Sequence, residues 1–286
     1  MGAAERTVLI TGCSSGIGHE TARHLAASGW TVYATARRPE SIADLGEAGC
    51  KTLALDVTDE ASMQAAVAAV EEAEGPDGGL GALVNNAGYS QSGAVESVPL
   101  ETVRRQFETN VFGLIRMCQL VLPAMRRKGS GRIVNISSMG GKLVFPGGGI
   151  YHATKHAVEA ISDALRWEVA GFGVKVVCIE PGLIKTGFGD AAVGSIAGEL
   201  DVEGPYAEFN QHVAAATAGV YEGGLARLGG GPDAVAKAIE KALTARRPRP
   251  RYTVTPSAKL ALMQRRLVSD RIWDRMMASQ FPRPSA

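Results

Sequence analysis

Tyr151 and Lys155 bound the run Tyr151-His-Ala-Thr-Lys155, and a spacing of four sets both on one face of a helix. A free phenol ionises near pH 10, too high for ready proton exchange at neutrality. An ammonium one turn away favours the phenolate and lowers that value. The two then make a general acid/base suited to reducing a carbonyl or oxidising an alcohol. Ser138 precedes Tyr151 by 13 residues, with Ser137 beside it. A second constellation lies near the start, in Thr11-Gly-Cys-Ser-Ser-Gly-Ile-Gly18. Glycines at 12, 16 and 18 allow a tight turn and a close approach of backbone to a pyrophosphate. A helix following from His19 would offer free N–H groups and its positive dipole end. The spacing is GxxxGxG, not the GxGxxG of the general dinucleotide fingerprint.

These residues need strands and helices to position them. Thr7–Thr11, Thr31–Thr35, Thr52–Leu55, Ala82–Val84, Arg132–Ile136 and Val174–Ile179 are short, mostly apolar and β-branched runs, as strands covered on both faces should be. Amphipathic stretches such as Thr102–Arg127 and Tyr151–Val169 lie between them. The alternation implies right-handed crossovers and a parallel sheet, an α/β domain of the doubly wound kind with helices on both faces. The texture changes after Pro181-Gly182: residues 187–231 are rich in Ala and Gly with weak periodicity. A helix is predicted over Pro232–Thr244, a last strand over Arg251–Thr255, and a final helix capped by Ser257. Leu260, Met263 and Leu267 follow helical spacing in that helix. The division expected is one domain over 1–255 and a helical extension over 256–286.

Together the GxxxGxG turn, Asn85-Asn-Ala-Gly88, Asn110, Ser138, Tyr151/Lys155 and Pro181-Gly182 resemble the short-chain dehydrogenase/reductase family in order and spacing over roughly residues 5–190. The resemblance implies a Rossmann-type fold and an NAD(P)-dependent oxidoreductase. It implies that Ser138 hydrogen-bonds the substrate oxygen while Tyr151 passes it a proton. Lys155 would also hold the nicotinamide ribose, and Asn110 a relay water. It places Gly12, Ser14, Ser15, Gly16, Ile17, Gly18, Asn86, Ala87 and Gly88 along the dinucleotide, Asp56 and Val57 at the adenine, and Pro181, Gly182, Ile184 and Thr186 at the carboxamide. Counting back from Tyr151 selects Ser138 and leaves Ser137 structural. The TGCSSGIG turn and VYATAR strand look most like the 17β-hydroxysteroid and retinol dehydrogenase branch.

The second strand ends Ala34-Thr-Ala-Arg-Arg38. An acid there would hold the adenosine ribose and repel a 2′-phosphate. Ala36 takes that place and Arg37 follows, a cation able to pair with phosphate, so NADP(H) is expected over NAD(H). Val144, Phe145, Pro146, Ile196, Phe209 and Val213 give the segments around the site an apolar character, and a hydrophobic steroid-, retinoid- or lipid-like alcohol or ketone is expected. His152 and His156 read as pocket-rim or helix-face residues rather than bases. A Ser138/His152/Asp163 triad lacks a GxSxG elbow.

The 286 residues are 45% hydrophobic and 21% charged, with a formal net charge of +1, ordinary for a soluble globular protein and unlike a nucleic-acid binder. The 35 glycines are a surplus only partly explained by the turns above. Cys13, Cys50, Cys118 and Cys178 form no CxxC pair, so no metal is expected, and a reducing cytoplasm suits them. Neither a leader nor a spanning stretch is read from the sequence. The +1 hides an asymmetry. Residues 246–286 hold ten Lys and Arg against two acids, so the first 245 carry −7. Such a tail could lie on a membrane, cover the active site, or pack on the acidic body or a second subunit; packing is favoured because Pro248 and Pro250 interrupt its basic run. Family habit implies a homodimer or homotetramer. Two other readings stay open: an idle dinucleotide sensor, disfavoured by the intact Ser138, Tyr151 and Lys155, and an extended sugar-nucleotide epimerase or dehydratase, which usually differs in glycine spacing.

Overall fold

A computed structural model describes residues 6–187, 194, 204–222 and 227–284. Seven strands form one sheet: β1 Thr7–Ile10, β2 Thr31–Ala36, β3 Lys51–Ala54, β4 Ala82–Asn85, β5 Gly131–Ile136, β6 Val174–Glu180 and β7 Arg251–Thr253. Their order is β3-β2-β1-β4-β5-β6-β7, and every pairing is parallel. Side chains alternate across each strand. Val8 and Ile10 therefore join Val84, Val134 and Ile179 on one face, while Leu9 joins Leu83, Ile133 and Val176 on the other.

Helices cover both faces. Helices α1 (Gly16–Ala27) and α8 (Pro232–Thr244) bury Leu25, Ile239 and Leu243 on the first. Helices α3 (Glu60–Gly78), α5 (Gly113–Lys128) and α6 (Gly149–Glu168) bury Val70, Met117, Val121 and Val158 on the second. The remaining helices are α2 (Ala43–Glu47), α4 (Leu100–Phe107) and α7 (Ala207–Glu222), with α9 (Pro256–Leu267) and α10 (Asp270–Ala278) in the extension. The architecture is the doubly wound Rossmann-type sheet. Much of the 187–231 segment, Ile196 included, lies outside the described residues.

Three local features differ from the periodicity. The stretch expected as one helix over Thr102–Arg127 is α4 and α5 joined by a π turn at Glu108–Phe112; such insertions frequently mark functional sites. Gly113 starts α5 against β3's exit, where a Cβ would lie 2.5 Å from the Val57 carbonyl oxygen. The cap of α9 is Thr255, whose side chain accepts from Ala258 N–H, and not Ser257. Pro256 takes the first helical position, where its missing N–H costs nothing.

Arg251, read from sequence as part of a basic run, is an internal counter-ion. Its Nε lies 2.8 Å from Glu159 and 3.4 Å from Glu180, and a terminal nitrogen lies 2.6 Å from Asp163. Lys142 adds a 3.1 Å contact to Glu159. Glu159 and Glu180 are almost wholly buried, and burial pushes the Glu180 carboxyl above its usual range. Removing the shared cation strands buried negative charge. Arg251→Met is therefore expected to lower the unfolding free energy by about 3–5 kcal/mol, read as a fall in urea midpoint with m unchanged.

Candidate active site

The site lies along the carboxyl edge of the sheet, where every parallel strand ends. After β1 the chain turns at Gly12 and Gly16, whose φ angles of +72° and +60° favour glycine. A Cβ on Gly12 would stand 2.8 Å from Ala87 Cα. The turn is tied to the end of β4 from both sides. Thr11 Oγ1 accepts from the N–H groups of Asn86 and Ala87, both at 3.0 Å. The Asn86 amide donates to the carbonyls of Thr11 and Gly12 at 2.9 and 2.8 Å. Gly18 sits below, where a Cβ would strike the Gly12 carbonyl and the Asn86 amide. Ser15 caps α1 without a side-chain cap bond, and the first turn holds no acid. Donor-rich backbone, a positive helix end and glycine clearance fit a dinucleotide pyrophosphate.

Helix α6 brings Tyr151, His152 and Lys155 to the same edge. Lys155 is buried, its Nζ donating to the Ile136 carbonyl at 2.8 Å and lying 5.8 Å from the Tyr151 ring centroid. Burial pulls the Lys155 ammonium down to about 8. Ser138 caps the turn after β5, its Oγ accepting from Gly140 N–H at 3.0 Å, which leaves the hydroxyl proton for another acceptor. Ser137 is buried, with no partner for its Oγ among the described residues. The π turn aims Asn110 at Tyr89: its Oδ1 accepts from Tyr89 N–H at 3.1 Å and its Nδ2 donates to Tyr89 O at 2.9 Å. A Cβ on Gly88 would lie 3.1 Å from Asn110 Oδ1 and 3.8 Å from Lys155 Nζ, so both groups converge over that glycine. His152 is buried in the wall and pushed down to about 4, chiefly by burial and then by His156; it stands neutral at pH 7.

One cavity of about 1160 Å³ runs along this edge, above the usual range for a single ligand. Its lining includes Ser14, Ser15 and Ile17 on the turn, Arg37, Asp56 and Val57, Ala87, Ser138, Tyr151 and Lys155, and Pro181, Ile184 and Thr186. Two members of the predicted catalytic and dinucleotide set stand off the wall: Gly18 supports the turn from beneath, and Asn110 lies behind Tyr89. Ala36 and exposed Arg37 mark the β2 end. Asp56 Oδ1 accepts from the N–H and hydroxyl of Thr58 at 2.9 and 2.8 Å. Phe145, Pro146 and Val213 line the cavity, whereas Val144 is exposed and Phe209 packs behind Val213.

The tail supplies what sequence reasoning missed. Trp273, Met276, Met277 and Phe281 line the cavity, while Leu260, Met263 and Leu267, all three residues of the expected apolar face, stand exposed. The buried side of α9 carries Ala258, and Ala261 and Leu262 pack with Trp273. All four cysteines are buried, and burial pushes the thiols up, Cys50 to about 11 and Cys13, Cys118 and Cys178 to about 12. No cluster of three metal-ligating side chains occurs among the described residues, nor any helix long and apolar enough to cross a membrane.

The short chain dehydrogenase model matches residues 6–194. The 3-ketodihydrosphingosine reductase of Bacteroides thetaiotaomicron is 43% identical over 183 residues, 64% of this chain and 65% of its own. The NADPH-dependent 3-dehydrocapnine reductase of Ornithobacterium rhinotracheale is 34% identical over 95% of both chains. The crystal structure of a short-chain dehydrogenase from Streptomyces avermitilis superposes with a TM-score of 0.78 at 35% identity, covering 95% of each chain.

The packing beneath the glycine turn sets a test. Gly18→Ala is expected to weaken dinucleotide binding about 10- to 100-fold through overpacking, measured by nucleotide titration calorimetry on a variant whose circular dichroism matches the parent.

Proposed function

The chain belongs to the short-chain dehydrogenase/reductase family and is an NAD(P)-dependent oxidoreductase acting on CH–OH groups; from that membership we propose that it interconverts a hydrophobic ketone or aldehyde with its alcohol, preferring NADP(H). The observation that carries the proposal is that Ser138, Tyr151 and Lys155 share one cavity with the glycine turn.

The bound nicotinamide supplies or accepts the hydride. Ser138, its acceptor lone pair engaged by Gly140 N–H, donates its hydroxyl proton to the substrate oxygen and orients it. Tyr151 gives that oxygen a proton in reduction and takes it back in oxidation. Lys155 spends one donor on Ile136, leaving two that would serve the nicotinamide ribose, while its charge lies 5.8 Å from the Tyr151 ring centroid. Asn110, Lys155 and a water over Gly88 would re-protonate the phenolate. Asp56 and Val57 would flank the adenine, and Ile184 and Thr186 the carboxamide. Arg37 would pair with the 2′-phosphate where an acid would repel it; the NADPH dependence of the similar 3-dehydrocapnine reductase supports this choice.

The apolar lining from Phe145, Val213 and the tail supports a lipid-like substrate, as does the similarity to a 3-ketodihydrosphingosine reductase. We read residues 1–255 as the catalytic domain and 256–286 as its extension. We infer from family habit a cytoplasmic homodimer or homotetramer, and the 80% exposed Trp167 on α6 is a candidate for the subunit contact.

Tyr151→Phe is expected to reduce kcat about 10²- to 10⁴-fold with NADPH affinity retained; turnover near the parent value would refute the acid/base assignment. KM for NADPH is expected below that for NADH, and Arg37→Ser to shrink the difference about 10- to 100-fold, the worth of a charge-assisted bond; a parent enzyme favouring NADH would overturn the assignment.

A further inference from the structure

The cavity has a wall that the chemistry above leaves unused. An unbroken row of rings leads from the acid/base into the tail. Tyr151 and His152 lie 5.7 Å apart between centroids, His152 meets Phe145 edge-on at 6.1 Å, and Phe145 lies 6.0 Å from Trp273. Beyond Trp273, Met276, Met277 and Phe281 continue the lining, and Trp273 and Met277 are buried with Leu143. This segment is latched at both ends. The Trp273 indole N–H donates to the Val144 carbonyl at 3.3 Å. At the far end His212 of α7 donates to the Gln280 carbonyl at 2.8 Å, and its ring meets Phe281 edge-on at 5.8 Å.

With its indole N–H engaged, the stretch of wall made by Trp273, Met276, Met277 and Phe281 presents carbon and sulfur. The two amides of this end, Gln264 and Gln280, stand exposed. A rigid fused-ring substrate with oxygen at both ends would need a second anchor inside. Adjacent methionines, unbranched and polarisable, instead suit a flexible occupant without a fixed outline. We infer that the Phe145–Trp273–Met277 wall is a binding site for one long unbranched alkyl chain, with Met277 setting the length accepted. The inference rests on the hydride-transfer reading of the same cavity and narrows its substrate to linear-chain ketones or aldehydes.

Two readouts on the full chain test it. Straight-chain 2-ketones from hexan-2-one to hexadecan-2-one are titrated into enzyme saturated with NADP+, following the tryptophan emission to which Trp273 contributes, and are then assayed for NADPH oxidation. Affinity and kcat/KM are expected to rise about fourfold per methylene up to a limiting length. Met277→Ala should move that limit to longer chains and Met277→Phe to shorter ones, opposite shifts that misfolding does not produce. Binding and turnover flat with length, one limit shared by all three proteins, or androstane-3,17-dione preferred over every alkanone would each overturn the inference. Length-dependent quenching without turnover would uphold the chain site and sink the hydride-transfer reading. Hexan-2-one turned over with no gain along the series would do the reverse.

Discussion

Gly12 and Ala87 meet backbone to backbone, and this contact constrains everything built on the carboxyl edge of the sheet. Side chains at Thr11 and Asn86 close the gap by serving each other's main chains, so the turn after β1 and the exit of β4 move as one piece. A Cβ at Gly12 or Gly18 would push the strand ends apart and disturb the backbone donors of the turn. The same joint fixes the path of Ala87 and Gly88, over which Asn110 and Lys155 converge. Nucleotide site and proton machinery are therefore two readings of one rigid junction.

Behind the reactive edge, the second requirement is to keep a buried ammonium useful. Lys155 loses most of its hydration, and the compensation is local: the Ile136 carbonyl accepts one proton. One turn along α6, Glu159 belongs to a charge cluster closed by Arg251 and Lys142. Asn85, Asn135 and Ser162 form a buried ladder beneath, joined at 2.9 and 2.8 Å. These polar groups specify one seating of α6 on the sheet, which a purely apolar interface would leave freer to slide.

The strands and the motif residues were legible because each is a local signal: an apolar run, a glycine spacing, a pair one helical turn apart. What escaped depends on contacts remote in sequence. Leu260, Met263 and Leu267 satisfy helical spacing as well as the buried side does, and only packing against Leu143 and Trp273 decides which side turns inward. Arg251 looks like surface charge until β7 pairs with β6 and brings it to Glu159 and Glu180. Thr255 displaces Ser257 as the cap because Pro256 opens α9 two residues sooner. Asn110 was picked out by its motif, yet its orientation depends on a π turn that no periodicity announces.

The position of the tail also orders events during synthesis. The glycine turn, Asn86, Ser138 and Lys155 all precede residues 273–281 in the chain. The wall those last residues form needs Val144, Phe145 and His212 already in place to receive it. Domains fold largely as units in the direction of translation, so a nascent chain can hold a nucleotide before it can enclose an apolar partner. The apolar side of the cavity is therefore completed only after the glycine turn, Ser138 and Lys155 are already in place.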